Sequence, residues 1–429
     1  MFARVLLIAA LAWSSGCEKT SHENIDRWSH TAKGPAKLQK AVADESLDGD
    51  LSAHAAANLI KRGDDRDVYA VLEPMTPGRR AAVVARLAPR LWEVARVEND
   101  TDLPGAPQVI AKDALVRIRP WADDATRAQI DGYLIDFYCV SSFEGRAKVG
   151  ANLGVTVMRL VGPPAARRLT AVVNSVIAQP GQDKVKNKIG DELLLGLAAT
   201  ASPDAVKYVL DIARMDRHDP TLANRALSAL YTAYVDPRGL FEVADPRALV
   251  PNLPAIVDIA KDDAQDPQVA NDAVSLIRAV GAPQCLAPLL GMVGVPHRNA
   301  RFKFVAANNA LKCGGTKAIL DVVRALPDAG AYARDQVTGA ISGEIARMSP
   351  RDQAEAAARA LLSDRSTVAK WIGMETLGAM KATGEASEVA ALASSRERLI
   401  GYWGERAEGK EDPTLGQRAK ELSALLGAK

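Results

Sequence analysis

The sequence is poor in the side chains that usually carry chemistry. Aromatic residues make up 5% of its 429 positions, and it holds four cysteines and five histidines. None of the histidines (His22, His30, His54, His218, His297) stands in a His-Glu-x-x-His helix or beside a cysteine pair at zinc spacing, so no metal site is expected. His218 falls in the turn Asp216–Asp219, where a solvated side chain is the plain expectation. A Gly-x-Ser-x-Gly elbow is missing. The run Gly404–Lys410 imitates a phosphate loop. Glu411, however, occupies the place of the metal-binding Ser or Thr, and no strand pattern precedes it. Acidic pairs such as Asp123-Asp124 and Asp262-Asp263 lie at helix edges, where carboxylates serve the caps and the helix dipole. No cofactor and no catalytic constellation emerge, and the expectation is a protein that is not an enzyme.

An excess of one charge is lacking too. Lys and Arg number 54 against 52 Asp and Glu, a net charge of +2, which excludes a general nucleic-acid binder. One stretch departs from this balance. Between Gly145 and Gly190, Arg146, Lys148, Arg159, Arg167, Arg168, Lys184, Lys186 and Lys188 face Asp183 as the sole acid. Solvated helix faces account for such a run, and a contact zone for an acidic protein surface or anionic headgroups is the sharper alternative. Also absent are strand-like alternation and any apolar run long enough to span a bilayer.

What is present begins with alanine. Hydrophobic residues make up 48% of the chain, many of them alanine, the best helix former and a side chain small enough for close helix packing. At the amino terminus, Met1–Arg4 is a short positive start and Val5–Ala12 an apolar run. Ser14-Ser15-Gly16 and Cys17 follow. This is the layout of a secretory signal. Ending on Gly-Cys, it resembles the lipobox of bacterial lipoproteins, with Ser14 where that family usually has leucine. The resemblance implies removal of residues 1–16, acylation of Cys17, and anchoring by two or three acyl chains, which a single chain does not achieve. Residues 17–33 read as a flexible, polar tether. The implied location is the cell membrane or the outer membrane, with residues 34–429 in the periplasm or the extracellular space.

From Gly34 onward apolar residues recur at three and four positions, with short breaks between runs. In Asp219–Ala233, residues Leu222, Ala223, Ala226, Leu227, Ala229, Leu230 and Ala233 form one broad apolar arc, with Asp219 placed to cap the helix and Pro220 in its first turn. Asp266-Pro267 and Asp412-Pro413 begin segments of the same kind. The string Ala-Asn-Arg-Ala-Leu at 223–227 returns as Ala-Asn-Asp-Ala-Val at 270–274 and as Ala-Asn-Asn-Ala-Leu at 307–311. More apolar partners recur at Ser202–Ala213, Leu253–Ala260, Ala282–Leu290 and Gly315–Val323, with fainter versions at Gly162–Val173 and Ala386–Ala393. An apolar helix, a polar turn, an alanine-rich helix and a glycine stop, repeated at this spacing, are similar to HEAT-repeat proteins. The fold expected is all-α, an α-solenoid of antiparallel helix pairs over 34–429. Its repeats are clearest over 160–325 and degenerate over 34–160 and 349–429.

Exported chains meet an oxidising compartment. Cys285 at the start of one expected helix and Cys313 at the end of the next share one end of a hairpin, so a disulfide and two buried thiols both fit. Cys139 reads as a small core residue. Asp236–Arg247 is a long connection, expected to pack on its own Phe241. Asparagine recurs as Asn224, Asn271 and Asn308, with Asn187 a further candidate; Asn224 sits at the edge of the polar face, and the same position on successive second helices forms a row. Armadillo proteins hold the backbone of an extended peptide with such a ladder, because an amide both donates and accepts hydrogen bonds. The resemblance thus implies partner binding by these residues. The plainer alternative is that each ties down a neighbouring loop. The expectation is a membrane-anchored scaffold that binds an envelope protein or peptide. A HEAT-like lyase and a purely structural spacer are the rivals.

Overall fold

The computed structural model describes residues 19–97, 105–139, 143–177, 189–215, 220–295, 298–328, 330–404 and 409–427, with the side chains of 176, 177 and 220 set aside. Over these residues the chain is all-α: helices follow one another throughout, and the extended structure is a single bridge between Arg398 and Thr414. It divides into two compact units, 1–200 and 201–429.

The first unit holds α1 (His22–Ser29), α2 (Gly34–Ala43), α3 (Gly49–Lys61), α4 (Asp65–Leu72), α5 (Pro77–Ala95), α6 (Pro107–Ile118), α7 (Asp124–Cys139), α8 (Phe143–Arg146), α9 (Gly154–Val161), α10 (Pro163–Ile177) and α11 (Asp191–Ala199). Neighbours in sequence are neighbours in space: α2 packs on α3, α3 on α5, and α5 on α6. Alanine makes this approach close. Ala53, Ala55, Ala56 and Ala57 of α3 are buried together with Leu59 and Ile60. Between α6 and the loop before α9 the packing turns polar. Lys112 is fully buried, and its Nζ donates to Asp113 Oδ1 (2.7 Å), Asn152 O (2.6 Å) and Val149 O (3.2 Å). Gly150 in that loop has φ +92°, and a Cβ there would meet the Lys112 and Asp113 side chains, so both the conformation and the space require glycine.

One expectation needs correction here. The segment expected as tether, 17–33, contains α1. Ser21 caps it by accepting from Asn24 N at 3.3 Å, and Ile25 and Trp28, one turn apart, are buried. Two apolar residues in eight are too few to register as a periodic run, but they suffice once α2 and α3 supply the wall.

The second unit holds α12 (Pro203–Met215), α13 (Pro220–Tyr234), α14 (Leu253–Lys261), α15 (Pro267–Ala279), α16 (Leu286–Val293), α17 (Ala300–Gly314), α18 (Ile319–Arg324), α19 (Gly343–Ala346), α20 (Arg351–Leu362), α21 (Thr367–Met380), α22 (Ala386–Ala390) and α23 (Leu415–Gly427), with a π-helical turn at Gln336–Ser342. The pairs α12/α13, α14/α15, α16/α17 and α20/α21 pack internally, and the second helices α13, α15 and α17 pack on one another in order. This is the α-solenoid mode of packing. Every residue of the arc Leu222–Ala233 is buried, from 0% to 6% exposed, as a helix enclosed on two sides requires. Each buried leucine of that arc contributes about 1.5–3 kcal/mol.

The turns follow the residues. Asp266 caps α15, accepting from Gln268 N at 2.8 Å, and Pro267 takes the first position. Asp219 lies outside the described residues. Asp412 departs from the pattern: its carboxylate accepts from Gly401 N at 2.8 Å, and α23 starts later, with Thr414 Oγ1 accepting from Gln417 N at 3.1 Å. Cys285 and Cys313 are joined by a disulfide, their Cα atoms 6.3 Å apart, clasping the start of α16 to the last turn of α17. Cys139 is half-buried, and burial pushes its thiol up to about 11. In the connection 236–247, Phe241 is only half-buried while Leu240 and Val243 are exposed. The buried member is Ala244, whose N–H donates to Ala233 O at 2.8 Å.

Candidate functional site

Three of the four asparagines fall in the second unit, on α13, α15 and α17; Asn187 lies outside the described residues, as does Cys17. Asn224 and Asn271 each follow the first residue of their helix by four positions, Asn308 by eight. All three residues are half-buried. In each, Oδ1 is buried and accepts no hydrogen bond among the described residues. Other asparagines behave differently. Asn252 donates to Pro203 O at 2.9 Å, and Asn309, next to Asn308, donates to Val305 O at 2.8 Å. Those two fix local geometry; the recurring three have acceptors left over. A buried acceptor without a donor costs about 1–3 kcal/mol, and here the deficit recurs at three related positions.

Asn271 lines a cleft of about 440 Å³ together with Asp266, Gln268, Arg298, Arg301 and Phe302. Arg298 is spoken for: it donates to Ala260 O (3.3 Å), reaches Asp263 (3.5 Å) and lies over the Phe302 ring (5.1 Å). Asn299, which caps α17 by accepting from Phe302 N at 2.9 Å, lines this cleft and a second one, as does Arg301. The second cleft, of about 1150 Å³, continues past Arg334, Asp335 and Gln336 to Tyr402 and Trp403.

Backbone contacts hold its far wall. Tyr332 N donates to Ile400 O (2.9 Å) and Arg334 N to Tyr402 O (2.8 Å), so the 399–404 turn runs beside 331–334. Tyr402 stacks on the buried Trp371 at 5.5 Å, and Trp403 meets Tyr402 edge-on at 4.9 Å. The Trp403 indole donates to Glu411 O at 3.1 Å yet leaves 42% of the residue exposed, with Lys410 Nζ 4.9 Å from the ring centre. Arg301 and Arg334 are exposed and stand in no ion pair among the described residues. The groove therefore offers an amide, two uncommitted guanidiniums and a fixed aromatic face.

Of the basic stretch 145–190 the fold buries Arg146, while Lys148, Arg167 and Arg168 stay exposed. Arg146 is buried, donating to Phe137 O at 2.6 Å and stacking on the Phe137 ring. Lys148 lies 3.7 Å from Glu192 and Arg168 3.8 Å from Asp136, while Lys184, Lys186 and Lys188 fall outside the described residues. Among the described residues no group of three or more His, Cys, Asp or Glu converges to hold a metal ion, and no helix is long and apolar enough to cross a membrane. Sequence reasoning did not reach Arg301, Arg334 and Trp403. The one local signal was a tryptophan next to Gly404 in a stretch without helical period.

No protein-family model matches the chain, and a comparison with curated proteins finds no match. Among solved structures, the crystal structure of an engineered protein aligns with 92% of this chain and 99% of its own, at 13% identity and a TM-score of 0.28. That likeness is too weak to speak to topology, and the architecture rests on the helix packing described above.

Proposed function

We propose that this chain is a lipid-anchored cell-envelope scaffold that binds an extended segment of a partner protein across the second helices of its 201–429 unit. The observation that carries the binding reading is the set of three buried, undonated Oδ1 atoms at Asn224, Asn271 and Asn308. Rotation of an asparagine amide about its last torsion exchanges acceptor and donor, so each amide is able to meet a peptide N–H or C=O. Asn271 lines the cleft that shares Asn299 and Arg301 with the neighbouring cleft of Arg334 and Trp403, and the cations of these two clefts suit a partner segment with acidic side chains. The anchoring half of the reading is supported by the Ser14-Ser15-Gly16-Cys17 sequence alone.

In-cell cross-linking of wild type and Cys17→Ser, with membrane fractionation and mass spectrometry of captured proteins, tests both halves. Anchoring predicts a membrane-bound wild type and a soluble variant; scaffolding predicts one dominant partner for both. Unchanged fractionation rejects the anchor. Capture without any preferred partner rejects the scaffold.

A further inference from the structure

The first unit contains a feature that the scaffold reading does not use. His22, on α1, and His54, on α3, face each other with Nδ1 atoms 2.8 Å apart. Their ring centres are 5.0 Å apart, the separation two imidazoles reach when the facing nitrogens point almost straight at one another. Each opposite nitrogen meets a carboxylate: His22 Nε2 lies 3.3 Å from Asp50 Oδ2, and His54 Nε2 lies 2.8 Å from Asp26 Oδ1. The carboxylates are held in turn. Arg90 of α5 donates to both oxygens of Asp50 at 3.0 and 3.1 Å, and Asn58 of α3 donates to Asp26 at 3.3 Å. The result is one chain of contacts, Arg90–Asp50–His22–His54–Asp26–Asn58, crossing from α1 to α3.

An ionised carboxylate only accepts hydrogen bonds, so both Nε2 atoms carry hydrogen. If the pair held no further proton, two nitrogen lone pairs would oppose each other at 2.8 Å. If it held two further protons, two N–H groups would collide there. One additional proton gives an N–H···N hydrogen bond of ordinary length. A metal ion is a poor substitute, because zinc needs about 2.0–2.1 Å to each nitrogen at a wide angle, and these nitrogens aim at one another across too short a gap.

We propose that His22 and His54 share a single proton, forming a pH-sensitive latch that holds the first helix against α3. Burial disfavours the charged form of His54, so within the pair His54 accepts the shared hydrogen bond and His22 donates it. The charged groups facing the pair are Asp26 of α1, Asp50 of α3, and Arg86 and Arg90 of α5. On the α2 side, Lys37 lies over the Trp28 ring at 5.1 Å. The latch is closed while the pair holds its one shared proton. It opens on acidification, when a second proton places two N–H groups face to face. It opens again on the alkaline side, when the shared proton leaves.

The test uses the full chain labelled with nitrogen-15 histidine, with NMR reading the tautomer of each ring between about pH 5 and 8. Near neutrality the expected result is one doubly protonated ring, His22, and one ring, His54, protonated at Nε2 only, the two titrating together. Amide exchange in α1, measured against α3 in the same sample, should accelerate several-fold on acidification. In His54→Gln and His22→Gln that acceleration should vanish. Independent titration of the two rings, unchanged in the single variants, overturns the proposal. So does a shift of both Nδ1 signals on adding a stoichiometric zinc salt, which would make the pair a metal site.

Discussion

Glu375 and Arg418 form an ion pair inside the second unit, 2.7 Å from Oε1 to Nε, with their side chains 5% and 10% exposed. The Trp371 indole donates to the same carboxylate at 3.2 Å, and Glu421 reaches Arg418 from the other side at 2.7 Å. Burial and these carboxylates act on the guanidinium in opposite senses, with the net effect of raising its pKa. The pair ties α23, the last helix, to α21. Arg418→Ala would leave a buried carboxylate uncompensated and is expected to destabilise the unit by about 3–5 kcal/mol. Arg418→Met combined with Glu375→Gln, which removes both charges and keeps an acceptor for the Trp371 indole, should restore most of the loss. Urea denaturation followed by tryptophan fluorescence separates the two variants.

The clasp between Cys285 and Cys313 closes a loop over a sequence separation of 28 residues. A cross-link of that span stabilises by about 3.6 kcal/mol, mostly through the unfolded chain. Dithiothreitol should lower the melting temperature of wild type and leave that of a Cys285→Ala, Cys313→Ala double variant unchanged. The free Cys139 should not affect the comparison.

Asp272 of α15 is 7% exposed, and burial raises its pKa although Gln268 donates to it at 2.7 Å. The folded pKa thus lies above the unfolded one, and the unfolded state gives up this proton more readily. The group weakens folding at neutral pH and stops doing so as pH falls below the unfolded value. Asp272→Asn, a neutral isostere to which Gln268 is able to turn its carbonyl, should be more stable than wild type at pH near 7. That advantage should shrink to nothing below about pH 4. Melting curves across this range provide the measurement.

The undonated asparagines give a prediction of opposite character to most core substitutions. Alanine at Asn224 and Asn271 removes buried acceptors that have no donor, and the relief of about 1–3 kcal/mol at each offsets the packing lost with the side chain. The melting temperature should stay near wild type while capture of the partner weakens about tenfold or more. Asn252→Ala, by contrast, removes a bond to Pro203 O and should lower stability by about 1 kcal/mol. Loss of stability without loss of capture at Asn224 and Asn271 would return these residues to a structural role.

Local pattern carried much of the architecture. The arc Leu222–Ala233 was legible because seven apolar side chains recur at helical spacing, and all seven are buried. Asp266-Pro267 was legible because the cap and the proline act within one turn. What escaped depends on neighbours distant in sequence. Helix α1 is held by two apolar side chains and a histidine whose partners, His54 and Asp50, both come from α3. Asp412 looks like a helix cap, but Gly401 N takes its carboxylate. The groove between Arg301 and Trp403 exists because the 399–404 turn lies beside 331–334, a pairing that no periodicity announces.

The clasp and the groove occupy opposite ends of one rod. Helix α17 begins at the groove, with Asn299 and Arg301, and ends at Cys313, about 18 Å farther along its axis. Between those ends the helix lies packed on α15 and α16, so it acts as a strut and not as a hinge. A covalent tie at one end and an open cleft at the other are thereby held at a fixed distance by a single helix.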